Sequence, residues 1–83
     1  MSSYFAVQSY KKGNKGVLIE EVPQVVASEA AAVRRAEVLA RRRAGAVAFM
    51  RVANDFDEFD DPKFLARFGE VPDDVIEAML IPA

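Results

Sequence analysis

Residues 28–52 read SEAAAVRRAEVLARRRAGAVAFMRV, and this stretch decides the fold class because its hydrophobic period changes at Gly45. From Glu29 to Ala44 the chain is mostly Ala, Arg, Glu and Leu, residues that lose little side-chain freedom in a helix. Ser28 is suited to the N-cap and Gly45 to the position just past the last turn, so the sequence predicts a helix over 29–44. At about 100° per residue, Ala32, Val33, Ala36, Leu39, Ala40 and Ala44 share one face, small enough to sit close against a sheet. Arg34, Glu37 and Arg41 fall opposite, with Arg35 and Arg42 beside them. After Gly45 the run Ala46 to Val52 is almost continuously apolar, which predicts a strand over 46–53 with neighbours on both edges.

Working outward toward the N-terminus, Tyr4 to Tyr10 is aromatic and β-branched, and Val17 to Val22 is a second such run. Lys11-Lys12-Gly13-Asn14-Lys15-Gly16 lies between them. Gly13, Asn14 and Gly16 accept positive φ at little steric cost, so the segment 4–22 reads as a hairpin with lysines at its tip. Pro23 ends its second strand, having no N–H for a ladder. Toward the C-terminus, Asn54 to Asp61 reads as an acidic loop. Residues 62–68 stay open between a short helix begun by Asp61-Pro62 and a returning strand with Phe64 and Phe68 on one face. Pro72, Asp73, Asp74 and Glu77 favour a terminal helix carrying Val75, Ile76, Met79 and Leu80. The expected architecture is α+β: an antiparallel sheet in ββαβ order, with a fourth strand left open, packed on one long helix and followed by a short C-terminal helix. It is expected to be one domain over residues 1–83.

The chain has 83 residues, 52% of them apolar and 29% charged, a globular composition with room for only a small core. There is no cysteine to form a disulfide, so association with a partner subunit is an expected source of extra stability. His is absent as well, which removes the commonest general base and, together with cysteine, the nitrogen and sulfur metal ligands. No enzyme, catalytic residue, cofactor or metal is expected, and no small-molecule ligand is identified. No stretch approaches the roughly 20 apolar residues of a membrane span, and the opening lacks a signal-peptide pattern, so a cytoplasmic location is expected with no membrane partner.

Charge is segregated along the chain: residues 1–53 hold nine Lys/Arg and four Asp/Glu, whereas residues 54–83 hold two and nine. The basic part offers a candidate surface for nucleic acid or other anions, made of Lys11, Lys12 and Lys15 at the hairpin and Arg34, Arg35, Arg41, Arg42 and Arg43 on the helix. Part of that cluster has a structural reason, since arginines in a last helical turn complement the helix dipole. Tyr4 and Tyr10 could stack bases if the sheet face were open. The acidic run of Asp55, Asp57, Glu58, Asp60 and Asp61 raises calcium. Counted from Asp55, however, Phe59 falls at the fifth position and Ala66 at the twelfth, where oxygen ligands belong. Phe56 and Phe59 within the run are the candidate partner contacts.

Tyr4 to Gln8, the strand from Gly45 to Phe49 after an Ala/Arg helix, and Ala66-Arg67-Phe68-Gly69-Glu70-Val71-Pro72 together resemble a family of short alphaproteobacterial proteins of unknown function. The resemblance implies one compact domain and brings no activity or site. The expected function is a small non-catalytic protein-interaction module, with self-association included, acting through Phe56 and Phe59 or an open sheet face. The alternative is weak, sequence-independent nucleic-acid binding through the Lys/Arg surface.

Overall fold

The computed structural model describes residues 2–53 and 62–80. The aromatic opening of the chain forms β1 (Ser2–Lys12), and the chain reverses through a 3-10 turn at Asn14–Gly16. The left-handed residues of that turn are Lys15 at φ 61° and Gly16 at φ 76°. Gly13, expected among them, has φ −95° instead, and a Cβ there would meet Ile19 Cδ1 at 2.4 Å. β2 (Leu18–Glu20) then pairs antiparallel with the end of β1, from Tyr10↔Glu20 to Lys12↔Leu18. Pro23 interrupts the ladder, as its missing N–H requires. The chain then rejoins the same edge of β1 as β3 (Gln24–Val26), with Phe5 opposite Val26 and Val7 opposite Gln24. That short strand is an addition to the hairpin the sequence predicts.

Ser28 is extended, at φ −154° and ψ 167°, and its Oγ accepts from the Ala31 N–H at 3.1 Å, so α1 (Glu29–Ala40) starts where the sequence places it. It stops four residues earlier than the predicted Ala44. The Arg42 and Arg43 N–H groups both donate to the Leu39 carbonyl, at 3.0 and 2.9 Å, and the Ala44 N–H donates to Tyr10 O at 2.9 Å. Ala44 is therefore already held by β1. Gly45 opens β4 (Gly45–Ala53) and does not cap the helix.

β4 lies between β1 and β5 (Lys63–Gly69), so the sheet order is β2-β1-β4-β5, with β3 also on β1 and every pairing antiparallel. Segment 62–68 is thus strand. Its register holds a bulge: Ala48 faces Ala66 while Phe49 faces Phe64, leaving Leu65 as the extra residue. One inserted residue reverses the alternation of side chains. Phe64 and Phe68 consequently point to opposite faces, where a regular strand would put them on one.

Ala32 and Ala36 of α1, Val7 of β1 and Ala46 and Ala48 of β4 form one buried cluster, with Phe5, Val33, Leu39, Ala66 and Phe68 packed on it. On the other face Tyr10, Val47 and Val71 are buried together with Leu18, Phe64, Val75 and Ile76. The last two residues belong to α2 (Asp73–Leu80), which starts after Pro72, whose carbonyl accepts from the Val75 and Ile76 N–H groups at 3.0 and 3.2 Å. The fold is therefore α+β, with a five-stranded antiparallel sheet carrying the long helix on one face and the short C-terminal helix on the other.

β4 and β5 meet tightly at their ends. A Cβ at Gly45 would lie 2.0 Å from the carbonyl oxygen of Glu70, and Gly69 is left-handed at φ 72°. Gly45→Ala must displace backbone that is already bonded, through Glu70 N–H to Ala44 O at 2.9 Å. The expected loss is roughly 2–4 kcal/mol in urea unfolding, with the denaturant slope unchanged.

Candidate interaction surfaces

The bond from Ala44 N–H to Tyr10 O brings the end of α1 beside the end of β1, and with it two parts of the basic sequence. Lys11, Lys12, Arg42 and Arg43 line an open groove of about 510 Å³, together with Glu21, Ala44 and Glu70. Lys12 Nζ lies 3.1 Å from Glu70 Oε1, and Arg43 Nε lies 2.8 Å from Glu21 Oε1. The hydroxyl of buried Ser9 donates to that same Glu21 oxygen at 3.0 Å, making Glu21 a clamp between β1 and the segment after α1. Lys11 and Arg42 make no ion pair with any of the described residues. Half of the groove's cations are thus neutralised within the molecule.

The other anion candidates are placed differently. Lys15 sits in the 3-10 turn, and Arg34, Arg35 and Arg41 are exposed on or just past α1, outside the groove's lining. Arg41, the C-cap residue, pairs with Glu37 at 3.4 Å, an exposed contact of the kind that contributes less than about 1 kcal/mol. Phe56 and Phe59, and the acidic run that holds them, lie outside the described residues. Tyr10 is buried and unavailable for base stacking, whereas Tyr4 is half-buried.

The face that carries α2 contains a hollow of about 190 Å³. Val47, Phe49 and Phe64 form its walls, with the two phenylalanine rings 6.4 Å apart and tilted by 57°. Its polar lining includes Gln8, Tyr10, Glu20 and Arg51, of which the sequence singles out Tyr10 alone. Gln8 is held by its amide, which donates to Ser9 O at 3.1 Å and also to the Glu21 carbonyl. Arg51 Nε is buried, and among the described residues it has no hydrogen-bond partner.

A third surface follows the edge made by β2 and β3. Val17, Ile19, Val22 and Val25 are 61%, 41%, 84% and 71% exposed, so four branched apolar side chains within nine residues lie open to solvent. Val38 on α1 is also exposed, but stands apart from them in the chain. The opposite edge of the sheet, β5, presents exposed Lys63 and Arg67 and the bulge at Leu65, all features that discourage strand addition. Spacing alone hides this contrast, because Val17 to Val22 reads as an ordinary half-buried strand.

Tyr10 ties the hollow to stability. Burial first, then the carboxylates of Glu20 and Asp74, push its phenol from 10.0 up to about 12. The folded state therefore keeps a proton that the unfolded chain has released, and stability present below about pH 10 is lost as pH rises toward about 12. Urea unfolding across that window is expected to show a loss of up to about 2–3 kcal/mol attributable to this group. Tyr10→Phe should flatten that part of the pH dependence.

No helix among the described residues is long and apolar enough to cross a membrane. Comparison with protein-family models, curated proteins and solved structures found no match to this chain.

Proposed function

We propose that this chain is a non-catalytic protein-interaction module whose contact surface is the β2–β3 edge and whose partner is a second copy of itself. The observation that carries this reading is the exposure of Val17, Ile19, Val22 and Val25 along an edge whose outward backbone groups are open to strand addition. Burying branched side chains on a neighbouring edge removes apolar surface from water at about 25 cal/mol per Å². Two copies related by a two-fold axis present the same edge to each other, and antiparallel pairing satisfies both ladders at once. An 83-residue chain without disulfides has reason to gain stability in this way.

Weak nucleic-acid binding is the second reading, supported by Lys11 and Arg42 in the basic groove, which have no ion-pair partner among the described residues. Glu21 and Glu70 oppose it, since a phosphate entering the groove must displace or tolerate both carboxylates.

The two readings differ in their response to salt and to substitution. Sedimentation velocity and backbone amide spectra over a dilution series should show concentration-dependent association, with shifts concentrated in residues 17–26 and little change with ionic strength. The double variant Ile19→Lys, Val25→Lys should remain folded, because edge lysines are compatible with a sheet, and should weaken association by at least about tenfold. A wild-type chain that stays monomeric at all concentrations excludes self-association. Binding to a short DNA duplex that persists at physiological salt would instead favour the basic groove.

A further inference from the structure

The β2–β3 edge is not one straight ladder, and its backbone singles out where two copies can meet. The Glu21 N–H donates to Ser9 O at 3.0 Å and the Gly13 N–H to Val17 O at 2.7 Å, so residues 17, 19 and 21 turn their peptide groups inward to β1. Leu18 and Glu20 therefore turn theirs outward. From Tyr10 back to Val7 β1 advances three residues while its partners run four, from Glu20 to Gln24, so an extra residue and Pro23 separate β2 from β3. Past that break, the same alternation along β1 points Gln24 and Val26 inward and leaves Val25 as the outward residue of β3. β2 thus offers two outward bonding residues and β3 one. Ile19, opposite Lys11 and next to the row of Tyr10, lies on the α1 face. That face is clear over β2, because the described residues packed beneath α1 come from β1, β3, β4 and β5.

We infer that the contact is made by β2 alone, paired antiparallel with β2 of a second copy about a two-fold axis that passes between the two Ile19 side chains. This rests on the self-association reading and fixes the register of the partner. Symmetric pairing matches outward residues with outward residues, so Leu18, Ile19 or Glu20 must lie on the axis. Leu18 on the axis sets Glu20 against Gly16, whose φ of 76° is not that of a strand, and the ladder ends after one bonded pair. Glu20 on the axis places two carboxylates directly opposite each other, and sets Leu18 against Val22, which lies outside β2. With Ile19 on the axis, Leu18 bonds with Glu20 of the second copy and Glu20 with its Leu18. Each carboxylate then faces a leucine. Ile19 meets its own copy at the unbonded position, where side chains come closest, and a side chain that is 41% exposed gains a branched apolar neighbour. The axis runs perpendicular to the sheet, so both α1 helices stay on one side, each set back from the seam by its own uncovered β2.

The chain has no cysteine, so single cysteines report the register without background. Full-length Leu18→Cys, Ile19→Cys and Val25→Cys chains are oxidised with diamide, at concentrations where sedimentation shows the wild type associated, and scored for disulfide-linked dimer. Ile19→Cys should cross-link at least about tenfold faster than the other two, because facing unbonded residues have Cα atoms about 4.5 Å apart, within the roughly 4.4–6.8 Å that a disulfide spans. Two copies of residue 18 stand about 8 Å apart in this register, beyond that reach. A denaturing concentration of urea should abolish the difference. A mixture of isotope-labelled and unlabelled wild-type chains should show intermolecular contacts between Ile19 methyl groups, a readout that stands even if a cysteine variant fails to fold. Fastest cross-linking at Leu18 or Val25, or no preference for Ile19 in a chain that does associate, overturns the register and leaves edge association standing. A wild-type chain that is monomeric at every concentration overturns both.

Discussion

The contact on which the rest of the molecule depends is that of Ala32 and Ala36 with Val7, Ala46 and Ala48, all of them fully buried. Few methyl groups are involved, so their transfer from water is a modest term at about 0.8 kcal/mol for each carbon buried. Their effect is geometric. Alanines on both sides let the helix axis approach β1 and β4 closely, and the larger Phe5, Leu39 and Phe68 close the cluster around its rim. With α1 held over the two central strands, its C-terminal end lies against the end of β1, and the Ala44 N–H finds Tyr10 O. That bond ends the helix early and starts β4 at a glycine. It also sets Arg43 where Glu21, itself bonded by the Ser9 hydroxyl, receives it.

The second face follows from the first. Ala46 and Ala48 of β4 point toward α1, so the alternate residues Val47 and Phe49 point the other way. The bulge at Leu65 extends this arrangement to β5. By inserting one residue it leaves Phe68 under the long helix and turns Phe64 to the opposite side against Phe49. α2 covers that face around Tyr10 and Val71, and the hollow lies beside its Val75. A regular β5 would have placed both phenylalanines on the same face and left Phe49 without its partner ring.

What the sequence makes legible is whatever depends on neighbours within a turn or a pleat. The Ser28 cap, the alanine face of α1 and the central position of β4 are all of this kind. The end of α1 was not legible, because the bond that stops it comes from Tyr10, far away in sequence. β3 is not legible because three residues after a proline carry almost no period, and the bulge is not because periodicity presumes its absence. The same division applies to the candidate surfaces. The lysines and arginines of the basic groove are obvious as residue types. Their neutralisation depends on Glu21, 22 residues from Arg43, and on Glu70, 58 residues from Lys12. Only the second of these pairs joins the basic part of the chain to the acidic part, so among the described residues the charge segregation is compensated within the fold at that point.

Residues can be sorted by whether the fold itself accounts for them. Lys12, Arg41 and Arg43 are matched by carboxylates, and the alanines of α1 are matched by the sheet. Val22 and Val25 are not, because a side chain that stays 84% or 71% exposed contributes little burial energy to folding. The contrast between the two sheet edges sharpens the point. β5 carries exposed Lys63 and Arg67 on a bulged strand, which resists pairing with another chain, while the β2–β3 edge carries the single exposed charge of Glu20 in its strands, and their shortness and Pro23 limit the length of any ladder. A short ladder flanked by branched apolar side chains favours a contact limited in extent and closed by symmetry over an open-ended one. Arg51 is left over in a different sense, as a buried donor whose cost the fold does not offset among its described residues. One surplus is apolar and at an edge, and the other is a single charge on a face.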